Sequence, residues 1–285
     1  MSIRIITDSA SDMSPAEHPA LRVLPLSVTF GTDVYMDGVD IDHQRFYEML
    51  VERDELPKTG QVNPYAFSQA IAEAREAGDE AVIITVGAKL SGTNQSARTA
   101  LAEAPGGDVF VVDSNNVTLG ERVLVEYALR LVDEGRSAAQ IAAAVEAVRD
   151  RVVVIGLLET LEYLVRGGRL SAAAGAVGTL LNIKPMLTVT RGGKLISVDK
   201  EKGRRRAIRR LVKNMAEEII DPEKQVVSIL QADCPEDAQA LVDYMTETIP
   251  GVQYRIEKVG PTICAHAGPG TLAVVFLGAE REREE

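Results

Sequence analysis

The sequence predicts an α/β protein with two domains. We expect an N-terminal α/β domain built on a parallel sheet over residues 1–150, and a C-terminal α+β domain with a mixed or antiparallel sheet over 151–285. In the first half, Val- and Ile-rich runs alternate with amphipathic helical segments, a pattern typical of a parallel sheet covered on both faces. In the second half, residues 184–200 give strand, Gly-Gly turn and strand, which predicts an antiparallel hairpin.

The first half contains both kinds of element in alternation. Buried strands are predicted at 3–7, 22–30, 81–86 and 108–113, and helices at 43–54, 63–78, 119–135 and 137–150. Pro25 weakens part of the second strand, because proline cannot donate a ladder hydrogen bond. The helix over 63–78 has an Asn cap, Pro64 at its first position and Gly78 at its end, which are the usual start and stop signals.

The second half contains the predicted hairpin, in which two strands that follow one another in the chain pair with each other. A strand at 152–158 and a helix at 159–168 are predicted before the hairpin. After it, the predicted elements are 204–220 (helix), 225–233 (strand), a helix after Pro235, 252–260 (strand) and 271–279 (strand). Hairpin pairing combined with helices favours an α+β domain. We therefore place the domain boundary near Arg151.

Composition excludes several classes of function. The chain has 285 residues and a formal net charge of −11, and nucleic acids and anionic membrane surfaces both need a basic face. Two cysteines and three scattered histidines predict neither a metal cluster nor a cofactor, and they suit a reducing cytoplasm. The sequence shows neither a signal peptide nor an apolar run of the roughly 20 residues that a membrane helix needs.

Small polar residues follow three of the predicted strands. Ligands of open α/β sheets bind outside the carboxyl ends of the strands. The clusters at those ends are Asp8 with Ser9, then Ser91 with Gly92 and Thr93, then Ser114 with Asn115. Each cluster alone could be a cap or a turn, but three at one edge predict a binding site.

Ser91 lies just before a predicted helix and has several possible roles. Unpaired backbone N–H groups at a helix start suit an anion, although the phosphate-binding patterns GxxxxGK[ST] and GxGxxG are absent. A nucleophilic serine would need a GxSxG elbow and a base, for which His266 is the attractive candidate. Helix cap, anion anchor and, as an alternative function, an acyl hydrolase or transferase using Ser91 and His266 remain open.

Three other loops carry candidate side chains. His266 lies in "AHAGPGT", where it is either a chance residue of a tight turn or a donor to a bound anion. Arg169 follows Gly167 and Gly168, and it is either a solvated side chain after a helix end or a guanidinium for a carboxylate. Thr59 lies in the polar loop "PKTGQVNP", which alone suggests a linker.

A basic run, "KEKGRRRAIRR" at 200–210, stands out in this acidic chain. Such a run is usually the solvated face of a helix. The alternative is a docking patch for an acidic partner or a phosphate group.

Seven motifs, spread along the chain in a specific order, resemble those of the DegV family of bacterial fatty-acid-binding proteins. They are "TDSASD" at 7–12, "KTGQVNP" at 58–64, "LSGTNQSA" at 90–97, "VDSNN" at 112–116, "LEYLVRGGRLS" at 161–171, "IKP" at 183–185 and "HAGPGTLAVVF" at 266–276.

The resemblance implies a non-catalytic carrier with one long-chain fatty acid, such as palmitate, held between two α/β domains. It implies that Thr59 and Ser91 hydrogen-bond the carboxylate, and that Arg169 and His266 complete the polar end directly or through water. Gly92 and Thr93 would support that loop. The resemblance also implies a role in lipid transport or fatty acid metabolism, with a fatty acid kinase as a partner that docks near Lys202, Arg204, Arg205 and Arg206.

Overall fold

The computed structural model describes residues 2–53, 56–171 and 182–281. Its strands, in chain order, are β1 (Ile3–Asp8), β2 (Leu21–Leu24), β3 (Ser27–Phe30), β4 (Asp33–Met36), β5 (Lys58–Gly60), β6 (Glu80–Thr85), β7 (Val109–Asp113), β8 (Val152–Leu157), β9 (Ile183–Val189), β10 (Leu195–Lys202), β11 (Val226–Gln231), β12 (Gln253–Lys258) and β13 (Leu272–Leu277). The α-helices are α1 (His43–Glu52), α2 (Pro64–Glu76), α3 (Thr93–Glu103), α4 (Leu119–Asp133), α5 (Ala138–Val148), α6 (Glu162–Arg166), α7 (Arg204–Glu218), α8 (Pro235–Thr248) and α9 (Pro261–Ala267).

The first half contains a four-stranded parallel sheet in the order β2-β1-β6-β7. The sheet has a hydrophobic core on each face. Alternate side chains of each strand pack into one core or the other, because successive side chains of a strand point to opposite faces. Ile6 and Ile83 pack with α2 and α3, whereas Ile5 and Val82 pack with α4 and α5. The predicted parallel sheet covered on both faces is therefore confirmed.

The second half contains a six-stranded sheet in the order β10-β9-β8-β13-β11-β12. β11 and β12 run parallel, while the other neighbouring pairs are antiparallel. One face packs on α7 and α8, with Val153 and Ile155 of β8 beside Ile208 and Leu241 of those helices. The predicted mixed sheet with a hairpin is confirmed.

The segment between β1 and α2 differs from its prediction. Pro25 divides the predicted strand 22–30 in two: β2 joins the parallel sheet, and β3 pairs with β4 and β5 in a separate antiparallel sheet. The backbone N–H of Leu26 bonds to Ser9 Oγ at 3.0 Å instead of to a strand. β4 is largely exposed, so it lacks the apolar alternation that would have revealed it.

His266 was predicted in a loop, but it lies in the last turn of α9. This helix has seven residues, begins at Pro261 and is followed by Gly268 and Gly270, both with positive φ. Its shortness and the glycines after it hid the helical pattern. In the ranges given above, no helix is long and apolar enough to cross a membrane.

The two halves of the chain share a core. The largest buried cluster combines Phe46 and Leu124 of the first half with Val154 and Val275 of the second. Helix α4 contacts β1 and β6 of the parallel sheet and β8 and β13 of the mixed sheet. The division into two domains near residue 150 stays a prediction, but the packing between the halves is extensive.

Arg281 ties the end of the described chain to both halves. Its side chain is 6% exposed. The guanidinium donates to the carbonyl oxygens of Asn115 and Val189 at 3.1 Å each, and to that of Arg149 at 3.1 Å. These carbonyls belong to three separate segments, so one side chain holds the hairpin against the first half.

We expect Arg281→Ala to lower the free energy of unfolding by about 2–4 kcal/mol, because several buried carbonyl groups lose their donor. Urea denaturation measures this change. Arg45→Ala is the control, because Arg45 forms exposed ion pairs on one helix surface, which stabilise little. Equal stability of the two variants would contradict the role given to Arg281.

Candidate functional site

A cavity lies between the parallel sheet and the mixed sheet. Its volume is about 120 Å³, roughly ten times the space that one buried water molecule needs. Apolar side chains from both halves of the chain line it, among them Leu26, Val86, Leu90, Val117, Val154, Leu158, Leu164, Leu187, Leu195 and Ile263. Such a lining suits an apolar ligand.

The four side chains singled out from the sequence all line this cavity. Thr59 comes from β5, Ser91 from the loop before α3, Arg169 from the loop after α6, and His266 from the end of α9. The structure therefore brings together residues that lie up to 207 positions apart in the chain. We call these four side chains the polar pole of the cavity.

Thr59 and His266 form the central contact of the polar pole. Thr59 Oγ1 lies 2.7 Å from His266 Nε2. Thr59 was predicted in a loop but lies on the short strand β5, where it pairs with Val28 of β3. In the tautomer that carries its proton on Nε2, His266 donates to the threonine oxygen. The hydroxyl proton of Thr59 then points to another acceptor.

His266 is neutral at pH 7. Burial lowers its pKa from 6.5 to about 4, and the positive charge of Arg169 adds to this effect. Nδ1 is buried and has no hydrogen-bond partner among the residues described. Gly167 packs directly against the ring, so that a side chain at position 167 would collide with Nδ1.

Arg169 places a guanidinium at the polar pole. Its Nε donates to the carbonyl oxygen of Leu90 at 3.1 Å, and its Nη1 donates to that of Gly167 at 2.7 Å. Burial lowers its pKa, but arginine remains charged at any ordinary pH. These contacts use two of the five N–H donors of the group and join the second half to the Ser91 loop.

Ser91 lies directly before Gly92, the N-cap residue of α3. Its Oγ lies 3.0 Å from Thr93 Oγ1 and accepts from the backbone N–H of Thr93 at 3.3 Å. Gln61 packs over Gly92 and donates to Ser96 Oγ at 2.9 Å, which explains the small residue between serine and threonine. The contact with the N–H of Thr93 is compatible with the anchor role, because it uses a lone pair of Ser91 Oγ and leaves the hydroxyl proton to donate to an anion.

The alternative of a nucleophilic Ser91 needs a base within hydrogen-bond reach. His266 Nε2 faces Thr59, whereas the hydroxyl of Ser91 contacts Thr93. The described residues thus pair the histidine with the threonine rather than with the serine.

The loops at the carboxyl ends of β1, β6 and β7 meet as predicted. Asp8 Oδ2 accepts from the N–H of Val86 at 2.9 Å, and the N–H of Gly87 bonds to the carbonyl oxygen of Asn116 at 2.8 Å. Ser114 Oγ donates to that same carbonyl at 3.3 Å. The first and third clusters therefore stabilise the loops, while Ser91 faces the cavity.

The basic segment has two kinds of environment. Lys202, Arg205 and Arg206 are exposed. Arg204 is largely buried, and it donates to Asp237 Oδ2 at 2.7 Å and to the carbonyl oxygen of Gly270 at 2.6 Å. Three of the four predicted docking residues thus face solvent, and the fourth fastens the loop that follows α9.

Sequence reasoning did not single out four further threonines that line the cavity, of which only the last lies in a quoted motif: Thr118, Thr188, Thr262 and Thr271. Three of them donate their hydroxyl protons to protein oxygens, namely Asp12 Oδ2 and the carbonyl oxygens of Val154 and Ala267. Across 2–53, 56–171 and 182–281, no group of three or more His, Cys, Asp or Glu side chains is placed to hold a metal ion.

The fold and the cavity define a class of two-sheet α/β proteins with an internal apolar cavity and a polar pole. The chain belongs to the DegV family, whose profile, described as "Uncharacterised protein, DegV family", matches residues 2–279. A DegV domain-containing protein of Clostridium perfringens is 34% identical over 286 residues, which cover 98% of each chain. One of Deinococcus radiodurans is 35% identical over 278 residues, 97% of this chain and 98% of the relative.

Two solved structures share the whole fold. A DegV family protein from Thermus thermophilus, described as fatty acid binding, superimposes with a TM-score of 0.87 at 31% identity, covering 98% of this chain and 100% of that one. DegV from Bacillus subtilis, described as a fatty acid binding protein, gives 0.85 at 26% identity over 98% and 99% of the two chains. The predicted family and fold class are confirmed.

We expect a histidine-selective NMR titration to give His266 a pKa of about 4, with its signal assigned by loss in His266→Gln. An unfolded histidine binds a proton below about 6.5. The unfolded state therefore holds more protons between pH 4 and 6.5, and the free energy of unfolding rises with pH across that window.

The rise attributable to His266 should be about 2–3 kcal/mol and should be missing in His266→Gln. Chemical denaturation at pH 4.5 and pH 7 measures it in both proteins. A titration midpoint near 6.5 would contradict the buried, neutral state of the ring.

Proposed function

We propose that this protein is a non-catalytic carrier that binds one long-chain fatty acid, such as palmitate. The observation that carries the proposal is an apolar cavity that ends in Thr59, Ser91, Arg169 and His266. The fatty-acid binding described for the Thermus thermophilus and Bacillus subtilis relatives supports it.

The acyl chain supplies most of the affinity in this proposal. Burial of one methylene group contributes about 0.8 kcal/mol. Three of the four lining threonines favour this role, because Thr118, Thr188 and Thr271 use their hydroxyl protons within the protein. The walls away from the polar pole therefore offer few donors to a polar ligand.

The carboxylate binds at the polar pole, since a buried carboxylate must be hydrogen-bonded. Thr59 donates its hydroxyl proton while its oxygen accepts from His266. Ser91 donates a second bond, with Gly92 and Thr93 supporting its loop. Arg169 provides the positive charge that compensates the anion. A neutral His266 suits this arrangement, because it fixes the direction of the Thr59 hydroxyl.

We further propose that the ligand lies between domains 1–150 and 151–285. Lining residues come from both sides of this boundary, with Thr59 and Ser91 on one side and Arg169 and His266 on the other. A ligand that contacts both sides stabilises their packing by mass action.

A fatty acid kinase is the partner we propose for the loaded carrier, which gives the protein a role in fatty acid metabolism. Lys202, Arg205 and Arg206 offer exposed positive charge on an acidic protein, and Arg204 anchors the segment. We place the carrier in the cytoplasm, which suits its two buried free thiols.

We expect Thr59→Val and Ser91→Ala each to weaken palmitate binding by roughly 1–3 kcal/mol, because a buried carboxylate oxygen loses a donor. Isothermal titration calorimetry on delipidated protein measures the affinity. Thr99→Val is the matched control, because Thr99 lies on α3 outside the cavity lining. Unchanged affinity in both pole variants would remove their assignment as anchors.

We expect the triple variant Lys202→Glu, Arg205→Glu, Arg206→Glu to slow phosphoryl transfer to the bound fatty acid by about tenfold or more, because rim charges steer association. A kinase assay at low salt measures it, and palmitate affinity should stay unchanged. Arg130→Glu with Arg136→Glu is the control, since both side chains are more than half exposed elsewhere. Equal transfer rates for the two variants would contradict docking at this segment.

A further inference from the structure

Two carboxylates of the first half hold the start of α9, the helix that carries His266. Asp12 Oδ1 accepts from the backbone N–H of Gly260 at 2.8 Å. Asp37 Oδ2 accepts from the backbone N–H of Thr262 at 3.2 Å. Both contacts cross more than 220 positions of the chain.

A histidine adds a third contact at the same place. His43 Nδ1 lies 2.7 Å from the carbonyl oxygen of Val259, so it donates to that carbonyl. Three side chains of the first half thus bind three residues at the start of α9, Val259, Gly260 and Thr262. We call Asp12, Asp37 and His43 the clasp.

Helix α9 depends on these outside donors and acceptors. The first N–H groups of any helix have no partner within the helix. Here the capping residue is Gly260, which has no side chain to accept from them. A helix of seven residues is also too short to be stable by itself in water. The carboxylates of Asp12 and Asp37 supply the missing acceptors and complement the helix dipole.

The clasp lies in a largely buried environment, which disfavours the charged form of its two carboxyl groups. Asp37 is 5% exposed and also accepts from Ser9 Oγ at 3.1 Å, while Asp12 Oδ2 accepts from Thr118 Oγ1 at 2.5 Å. Burial raises the pKa of Asp12 to about 7 and raises that of Asp37 as well. Arg122 faces Asp12 and donates to its carbonyl oxygen at 2.9 Å.

The clasp and the polar pole lie at opposite ends of one short helix. Thr262 and His266 are one helical turn apart, about 6 Å along the axis. Thr262, Ile263, His266 and Ala267 all line the cavity. The first turn of α9, which the clasp holds, thus lies one helical turn from the ring that contacts Thr59.

We propose that Asp12, Asp37 and His43 are positioning residues, which place His266 against Thr59 and thereby set the preference of the cavity for a carboxylate. The preference for a carboxylate rests on the proposed function. The placement of His266 does not, so it can be tested in ligand-free protein.

The first experiment is the NMR titration of His266 in ligand-free variants. Asp37→Leu removes the acceptor of the Thr262 N–H, so the ring should open to water and its pKa should rise by at least about one unit toward 6.5. Asp37→Asn retains an oxygen for that N–H and should restore the wild-type pKa. Glu121→Gln is the control, because this buried carboxyl bonds to Thr7 rather than to α9.

A His266 pKa in Asp37→Leu equal to that of the wild type would overturn the placement. If Asp37→Leu does not fold, Asp12→Ala gives the same test. Both oxygens of Asp12 accept hydrogen bonds, and alanine supplies neither acceptor.

The second experiment compares palmitate with hexadecanol, which has the same chain without the charge. In Asp37→Leu, palmitate affinity should fall about tenfold, as expected for a weakened hydrogen bond to a charged group. The affinity for hexadecanol should fall by less than about twofold. Equal losses for both ligands would show a merely structural role and overturn the proposal. A wild-type protein without preference for palmitate would instead overturn the polar pole of the proposed function, and the NMR titration would still decide the placement of His266.

Discussion

The hydrogen bond between Thr59 and His266 is the interaction on which the candidate site depends. It joins an edge strand of the first half to the end of α9 in the second half. Burial keeps the imidazole neutral, so that the ring directs a hydroxyl without adding a second positive charge beside Arg169. The apolar walls then determine which ligand chain the cavity accepts, and the polar pole determines which ligand head group it accepts.

The main elements of the fold could be predicted because their patterns are local. Val- and Ile-rich runs indicated both large sheets, and the helix over Pro64–Glu76 carried its start and stop signals. The short elements could not be found this way. β5 has three residues, too few for any period to show, and it exists because β3 offers it a partner. Likewise α9 is capped by Asp12 and Asp37 from distant parts of the chain.

The candidate residues of the site could be named from the sequence, but their arrangement could not. Ser91 followed a strand and preceded a helix, which marked it as a candidate anchor, and the family motifs supplied Thr59, Arg169 and His266. The pairing of His266 with Thr59 depends on contacts between remote segments. The buried state of Arg204 also escaped prediction, because a basic run gives no sign of which side chain turns inward.

Native mass spectrometry of the purified chain shows whether a fatty acid occupies the cavity. We expect one bound long-chain fatty acid per chain, released and identified by organic extraction, with full occupancy regained when delipidated protein is incubated with palmitate. A chain that stays without ligand after that incubation would contradict this expectation.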